Sequence, residues 1–197
     1  MRLFLADIRS VKPEHINEIS SERAKKAERL RMSDDKKRCI AGGLLINRFL
    51  DGAGISENEF GKPVADNGMY FNISHSGDYV LFALSDSEIG CDIERMHYVN
   101  AERTGKIVFC ESEMQKIITA TDRLRAFFDL WTRKESLLKC IGEGFHRKAK
   151  SVDAGCEVFE ENGRRYYLKT WNFADYTVSV CSENKDFPEY IEFFNIK

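Results

Sequence analysis

The chain has 197 residues, 43% of them hydrophobic and 31% charged, with a formal net charge of −2. That apolar fraction excludes a chain that stays disordered, and the near-neutral balance excludes a protein whose whole surface grips nucleic acid. The longest apolar run, Cys39 to Ile46, is far short of the roughly 20 residues a bilayer span needs, and Asp7 and Arg9 precede any segment of secretory length, so a cytoplasmic protein is expected.

A strand signal at Met1 to Ile8 opens the chain, followed by a charged segment. Ser33-Asp34-Asp35 then offers a cap and first-turn acids for a helix running to about Leu50, with an apolar stripe of Cys39, Gly42, Ile46 and Phe49. From Met69 to Glu94 the period changes to 2, with Gly77-Asp78 and Asp86-Ser87 as turns, which predicts an antiparallel meander. Helix-compatible pieces near Ser112 to Thr119 precede a strong helix from about Asp122 to Cys140 that ends at Gly142. Strands are expected at Arg165 to Asn172, Asp175 to Cys181 and Tyr190 to Phe194. The segment beginning Asp78-Tyr79 matches the one beginning Asp175-Tyr176 at an offset of 97 residues. Together with the order of elements, this predicts an α+β protein of two similar lobes, residues 1–100 and 101–197, each a long helix on a small antiparallel sheet, with a ligand cleft between them.

Two stretches are locally basic: Arg23 to Arg38 carries eight basic residues against three acids, and Arg133 to Lys150 six against two. They are either solvated helix faces or two sides of one anion site. The six cysteines, at positions 39, 91, 110, 140, 156 and 181, lack metal-ligand spacing and read as small buried hydrophobes of a reducing compartment.

In Ile89-Gly90-Cys91-Asp92-Ile93-Glu94, strand alternation puts Asp92 and Glu94 on one face, about 7 Å apart. Such a pair is either an exposed strand face or a Mg²⁺ site, since that ion accepts one or two carboxylates together with substrate phosphates. On the second long helix, Leu124, Phe127, Phe128, Trp131 and Leu138 mark the buried stripe, and at about 100° per residue Glu135 falls inside it, between Leu124 and Phe128. An inward carboxylate needs a partner. Lys139, one turn on, could supply a salt bridge, but a metal shared with Asp92 and Glu94 explains the inward direction. Lys134 and Lys139 are expected to flank the same face, a combination suited to a pyrophosphate. Ser74-His75-Ser76-Gly77, at a strand end, offers hydroxyls and an imidazole, with His75 either structural or a phosphate donor. Lys62 in Gly61-Lys62-Pro63 is presented by a rigid turn.

In this order, Gly61-Lys62-Pro63, Phe71 to Gly77, Ile89 to Glu94 and Phe128 to Lys139 resemble the 4′-phosphopantetheinyl transferase family, in its two-lobed, monomeric, surfactin-synthetase-activating type. The resemblance runs from about Arg23 to Phe194. It implies transfer of the phosphopantetheine arm of coenzyme A to a serine of an acyl, peptidyl or aryl carrier protein, with release of 3′,5′-ADP. It also implies Mg²⁺ on Asp92, Glu94 and Glu135, and phosphate contacts from Lys134 and Lys139, the latter also stabilising the leaving group. By the same carry-over Ser74 and His75 bind the coenzyme, His75 at its 3′-phosphate. Lys62 lies near the adenine, and Arg23, Lys26 and Arg38 fall at or near phosphate-binding positions. Arg23 and Cys39 stand where the family's types are lysine and threonine. The serine's proton would go to Glu135, directly or through a metal-bound water.

The alternative from the binding class is a coenzyme A-binding scaffold without turnover. A nucleic-acid-binding helix at Arg23 to Arg38 would need interleaved aromatics that the segment lacks. A basic rim of Arg133, Arg147, Lys148 and Lys150 is expected to steer an acidic carrier.

Overall fold

Two four-stranded sheets, each covered by one long helix, organise the chain; the computed structural model describes residues 1–50, 52–143 and 149–197. In chain order the elements are β1 (Arg2–Asp7), α1 (Ser21–Arg29), α2 (Ser33–Phe49), β2 (Ile55–Glu57), β3 (Pro63–Ala65), β4 (Tyr70–Ser76), β5 (Tyr79–Ser85), β6 (Ile89–Arg95), α3 (Ala101–Val108), α4 (Glu111–Thr119), α5 (Arg123–Ile141), β7 (Val158–Glu161), β8 (Arg164–Phe173), β9 (Tyr176–Ser182) and β10 (Glu192–Phe194). The first sheet has the order β10-β1-β5-β4 and the second β6-β9-β8-β7, while β2 and β3 form a separate ribbon.

The helix ends follow elementary chemistry. Ser20 accepts from the Arg23 amide to start α1, and Asp122 accepts from the Arg125 amide to start α5. Gly142 closes α5 in the left-handed region at φ 81°. Ser33 is not a cap, as its position had suggested: α2 starts at Ser33 itself, behind Met32, and the Ser33 hydroxyl turns to Asp34. Within α2, Gly42 and Gly43 cost helix stability, but a Cβ at either would collide with Arg23 or Ile19, so the pair is the groove in which the preceding segment lies.

Three layers of apolar contact hold the assembly. α2 covers one face of the first sheet, with Ile40, Ala41 and Leu45 against Phe4, Phe71 and Phe82. The opposite face packs against the second sheet, with Leu3, Leu5, Leu81 and Ala83 meeting Ile89, Cys91, Ile93, Val178 and Val180. On the far side of the second sheet lies α5, whose Leu137 and Cys140 meet Leu168 and Cys181. Each large side chain buried this way stabilises the fold by about 1.5–3 kcal/mol.

Two expectations change. The meander stops after β5: β6 pairs with β9 over seven residues, so the lobes divide between Ser85 and Ile89 rather than at residue 100, and Asp92 and Glu94 belong to the second lobe. β6 can leave because both of its faces find cover, Ile89, Cys91 and Ile93 between the sheets and Gly90 beneath α5. The chain's last strand, β10, returns to pair in parallel with β1. The stripe on α5 is also wider than expected. Leu124 is exposed, while Phe127, Phe128 and Leu130 pack on Phe109 and Ile117 in α3–α4 surroundings, so α5 is buried on two sides.

The repeat at an offset of 97 residues is visible in three dimensions. β5 and β9 are matching interior strands, and the amides of Ile8 and Met96 donate to the carbonyls of Asp78 and Asp175, which occupy the same turn position. Tyr79 and Tyr176, also matched, pack edge to face at 5.0 Å between the lobes.

Candidate active site

The site begins with a glycine. A Cβ on Gly90 would strike the Ser136 carbonyl oxygen and the Cys140 amide nitrogen, so α5 crosses β6 in backbone contact. That approach lays Glu135 and Lys139, one turn apart, over the face of β6 that carries Asp92 and Glu94. The Lys139 ammonium donates to Asp92 Oδ1 at 2.6 Å, to Ser74 Oγ at 3.2 Å and to the Cys91 carbonyl at 3.2 Å.

The outer edge of β6 faces β4, and the two strands are joined by side chains rather than by a backbone ladder. Asn72 Oδ1, Ser74 Oγ and Ser76 Oγ accept from the amides of Cys91, Ile93 and Arg95 at 3.0, 3.4 and 3.0 Å, a constant offset of 19 residues. The edge amides are thereby satisfied without another strand. Each serine also donates, Ser74 to Asp92 Oδ1 at 2.8 Å and Ser76 to Glu94 Oε2 at 2.7 Å. Asn72 was missed by sequence reasoning, although the polar alternation Asn-x-Ser-x-Ser was there to be read, and Ser76 was read only as a hydroxyl of the strand end, without its partners Glu94 and the Arg95 amide.

The electrostatics are those of crowded carboxylates. Burial, and then the charges of Asp92 and Glu94, raise the Glu135 pKa above the ordinary glutamate value, with Lys139 opposing. Burial and Asp92 raise that of Glu94 against the Ser76 hydrogen bond. Burial disfavours the Lys139 cation, yet Asp92 and Glu135 hold its pKa above the usual lysine value. Asp92 Oδ2 is buried without a hydrogen-bond partner. Among the described residues, the only group of three whose ligand atoms lie within 4.8 Å of one another is Cys110, Glu113 and Asp153. That group is already satisfied: Glu113 binds Lys134 and the amides of Cys110 and Ala154, and Asp153 binds Ser112 and the Gly155 amide.

A second concavity, of about 180 Å³, opens in the first lobe and is lined by Arg23, Lys26, Arg38, Cys39 and His75. Arg23 lies along α2 with Nε on the Cys39 carbonyl at 2.9 Å, and burial lowers its pKa. Arg38 grips the β4–β5 turn, its Nε and Nη2 on the Gly77 carbonyl at 3.0 and 2.7 Å and its Nη1 on Asp35. Desolvation and the cations of Arg38 and Lys139 depress the His75 pKa.

The structure thus brings Asp92, Glu94, Glu135, Lys139 and Ser74 together, and Arg23, Lys26, Arg38 and His75 together. Three residues lie elsewhere. Lys134 is fully buried on the other side of α5, paired with Glu113 at 2.7 Å and donating to the carbonyls of Ala149 and Val152. Successive helical residues point about 100° apart, so Glu135 facing β6 turns Lys134 toward α4. Lys62 caps the C-terminus of α5 through the Cys140 carbonyl and pairs with Glu88. Arg133 is not a free rim cation: its guanidinium is committed to the carbonyls of Ala154 and Cys156 and to Thr170. Arg147 and Lys148 lie outside the described residues.

A family model described as the 4′-phosphopantetheinyl transferase superfamily matches residues 88–191, the whole second lobe. The 4′-phosphopantetheinyl transferase Sfp of Bacillus subtilis is 30% identical over 193 residues, covering 88% of this chain and 86% of that protein. The transferase gsp of Aneurinibacillus migulanus is 32% identical over 126 residues, 57% of this chain and 51% of gsp. AcpT of Salmonella typhimurium is 36% identical over 122 residues, 58% and 63% of the two chains. With the acidic strand, the lysine-bearing helix and the cationic cavity arranged as described, the chain belongs to the 4′-phosphopantetheinyl transferase superfamily.

Proposed function

We propose that this enzyme transfers the 4′-phosphopantetheine arm of coenzyme A to a serine of an acyl, peptidyl or aryl carrier protein, leaving 3′,5′-ADP, with Mg²⁺ held by Asp92, Glu94 and Glu135. The observation that carries the metal is Asp92 Oδ2, a buried carboxylate oxygen with no partner beside two further carboxylates. A hard cation satisfies such an oxygen and relieves the repulsion that raises the Glu94 and Glu135 pKa values. When bound, Mg²⁺ supplies charge neutralisation at the pyrophosphate.

The chain's own groups do the rest. Arg23, Lys26 and Arg38 give the first-lobe cavity the positive lining that a nucleotide 3′-phosphate requires, and His75, whose lowered pKa favours the neutral ring, offers a hydrogen bond beside them. Lys139, pinned beside Asp92, holds a cation where charge accumulates on the leaving phosphate. The Ser74 and Ser76 hydroxyls fix the rotamers of Asp92 and Glu94, so little reorganisation is needed when coenzyme arrives. Lys62 and Lys134 stay outside this reading because their ammonium groups lie away from the carboxylate cluster, Lys62 on Glu88 and the Cys140 carbonyl and Lys134 on Glu113 and the carbonyls of Ala149 and Val152. All six cysteines are free and four are buried, which supports a reducing, cytoplasmic setting, and we read the enzyme as a monomer. Among the described residues no helix is long and apolar enough to cross a membrane.

The test is the intact mass of an apo-carrier after incubation with the enzyme, coenzyme A and Mg²⁺, with a chelator control. A gain of about 340 Da that disappears with chelator is expected. Coenzyme A binding without any gain on acyl, peptidyl and aryl carriers would replace transfer by the scaffold reading.

A further inference from the structure

We infer that Lys62 is a positioning residue for the reaction: its ammonium fixes how α5 crosses β6, and so how Glu135 and Lys139 stand relative to Asp92 and Glu94. The inference rests on the transfer reading above. Lys62 comes from the loop between β2 and β3, and that loop is built to hold it. Asn58 Oδ1 accepts from the amides of Phe60 and Lys62 at 2.9 and 2.8 Å, the Asn58 amide donates to the Lys62 carbonyl at 2.9 Å, and Gly61 takes the left-handed backbone, φ 82°, that the turn requires. The ammonium then donates to two elements of the second lobe at once, to the Cys140 carbonyl at 3.0 Å and to Glu88 Oε2 at 2.5 Å. Cys140 directly follows Lys139 on α5, and Glu88 directly precedes the first residue of β6. The Lys62 side chain is only 11% exposed there.

A helix cap alone would need only the carbonyl. The second contact, to the start of the strand, turns the cap into a clamp between the two elements that carry the carboxylates. At the crossing itself Gly90 lies against the Ser136 carbonyl and the Cys140 amide, a contact that lets the backbones approach but fixes no angle between them. The angle is set by polar contacts: Lys139 reaches Asp92 and the Cys91 carbonyl in the middle of β6, and Lys62 joins the end of α5 to the start of β6. Asn58 adds its Nδ2 on the Gly142 carbonyl at 3.4 Å, so the same loop holds the helix end twice. Without the clamp α5 is free to pivot about Gly90, and Glu135, one turn from Lys139, moves against two strand carboxylates that Ser74 and Ser76 keep in place. Carboxylates from two elements serve one small, geometrically demanding ion only while the elements keep their spacing. A displacement of about 1 Å imposed from a remote contact is enough to cost about 10²-fold in rate.

The experiment compares wild type, Lys62→Met, Lys62→Arg and Glu88→Gln in kcat and KM for coenzyme A on one carrier, in Mg²⁺ affinity by isothermal titration, in 3′,5′-ADP affinity and in melting temperature. Lys62→Met keeps the stem and removes the ammonium. Expected are a fall of about 10- to 100-fold in kcat and in Mg²⁺ affinity with KM and 3′,5′-ADP affinity unchanged, recovery of most of both by Lys62→Arg, and a smaller loss of the same kind in Glu88→Gln. Combining Lys62→Met with Glu88→Gln should not add the two losses, because both break one clamp. A weakened 3′,5′-ADP affinity with kcat kept would make Lys62 a coenzyme contact, and a lower melting temperature with kcat and Mg²⁺ affinity kept would make it a structural cap; either overturns the inference. If Lys62→Met does not fold, Glu88→Gln carries the test, and wild-type kcat and Mg²⁺ affinity in that variant would overturn the inference equally. A wild type inert on every carrier would remove the transfer reading, while the Mg²⁺ titrations would still decide the clamp.

Discussion

Lys134 and Lys139 sit five residues apart on one helix, and each is paired with a carboxylate from another element, yet the two pairs are built differently. Around Lys134 everything is closed: both partners are fully buried, the ammonium has three acceptors, and the Glu113 oxygens collect two backbone amides besides. Around Lys139 one oxygen is left over, Asp92 Oδ2, and two more carboxylates crowd in with raised pKa values. A buried ion pair with every atom satisfied ties α4, α5 and the 149–154 segment together. One with an atom to spare is set up to receive something. The sequence alone, where both lysines flank Glu135, cannot separate the two.

That contrast can be broken in three ways, taken from the largest effect downward. Asp92→Asn keeps the shape of the open pair but removes its charge, and the rate of mass gain on apo-carrier should fall by about 10²–10³-fold or more while the melting temperature stays within a few degrees. Full activity in that variant would dissolve the distinction.

Glu113→Ala attacks the closed pair instead. It strands a buried ammonium and two amides, so denaturant unfolding should show a loss of about 3–5 kcal/mol, with about 2–4 °C of melting temperature per kcal/mol. Replacing both partners, Lys134→Met with Glu113→Leu, should recover most of that stability and leave turnover within a few-fold below the melting range. If the double variant is stable but inactive, Lys134 reaches substrate after all.

The smallest effect is in pH dependence. Glu94 and Glu135 have folded pKa values raised above the ordinary glutamate value of about 4.3. In the window between the two values the folded state binds more protons than the unfolded one. Their contribution to stability is therefore fully present below about pH 4.3 and is lost as pH rises through the folded values. Melting curves in chelator should fall across that window, Mg²⁺ should restore the loss, and Glu135→Gln should flatten both trends. A Glu135→Gln protein that Mg²⁺ still stabilises as strongly as wild type would take Glu135 out of the ion's reach.

Much of this architecture could be read ahead of the structure because the signals were local. Gly142 and Asp122 bound α5 through cap chemistry confined to a few residues, and alternation alone put Asp92 and Glu94 on one face. What escaped depends on partners distant in sequence. β6 joins β9 across more than eighty residues, and no pattern within β6 says which neighbour it takes. Lys134 was misplaced because two adjacent helical residues were given one face, and Lys62 because its acceptor is the Cys140 carbonyl at the end of a helix 78 residues away. α1 was folded into a generic charged segment because its apolar contribution rests on little more than Ala24 and Ala27.

The matching turns of the two lobes carry a last consequence. Gly77 and Ala174, 97 residues apart, both adopt left-handed backbone, at φ 53° and 47°. At 174 a methyl group is present, at some conformational cost. At 77 the volume a methyl would fill is already taken by the Tyr176 hydroxyl of the other lobe, which accepts from the Asp78 amide at 2.9 Å. The two lobes repeat one backbone course, but a junction between them cannot be repeated within either, so one copy of the turn became a socket and gave up its freedom to vary. Substitution libraries at the two positions should therefore behave as strangers, with asparagine or aspartate tolerated at 174 and nothing but glycine at 77.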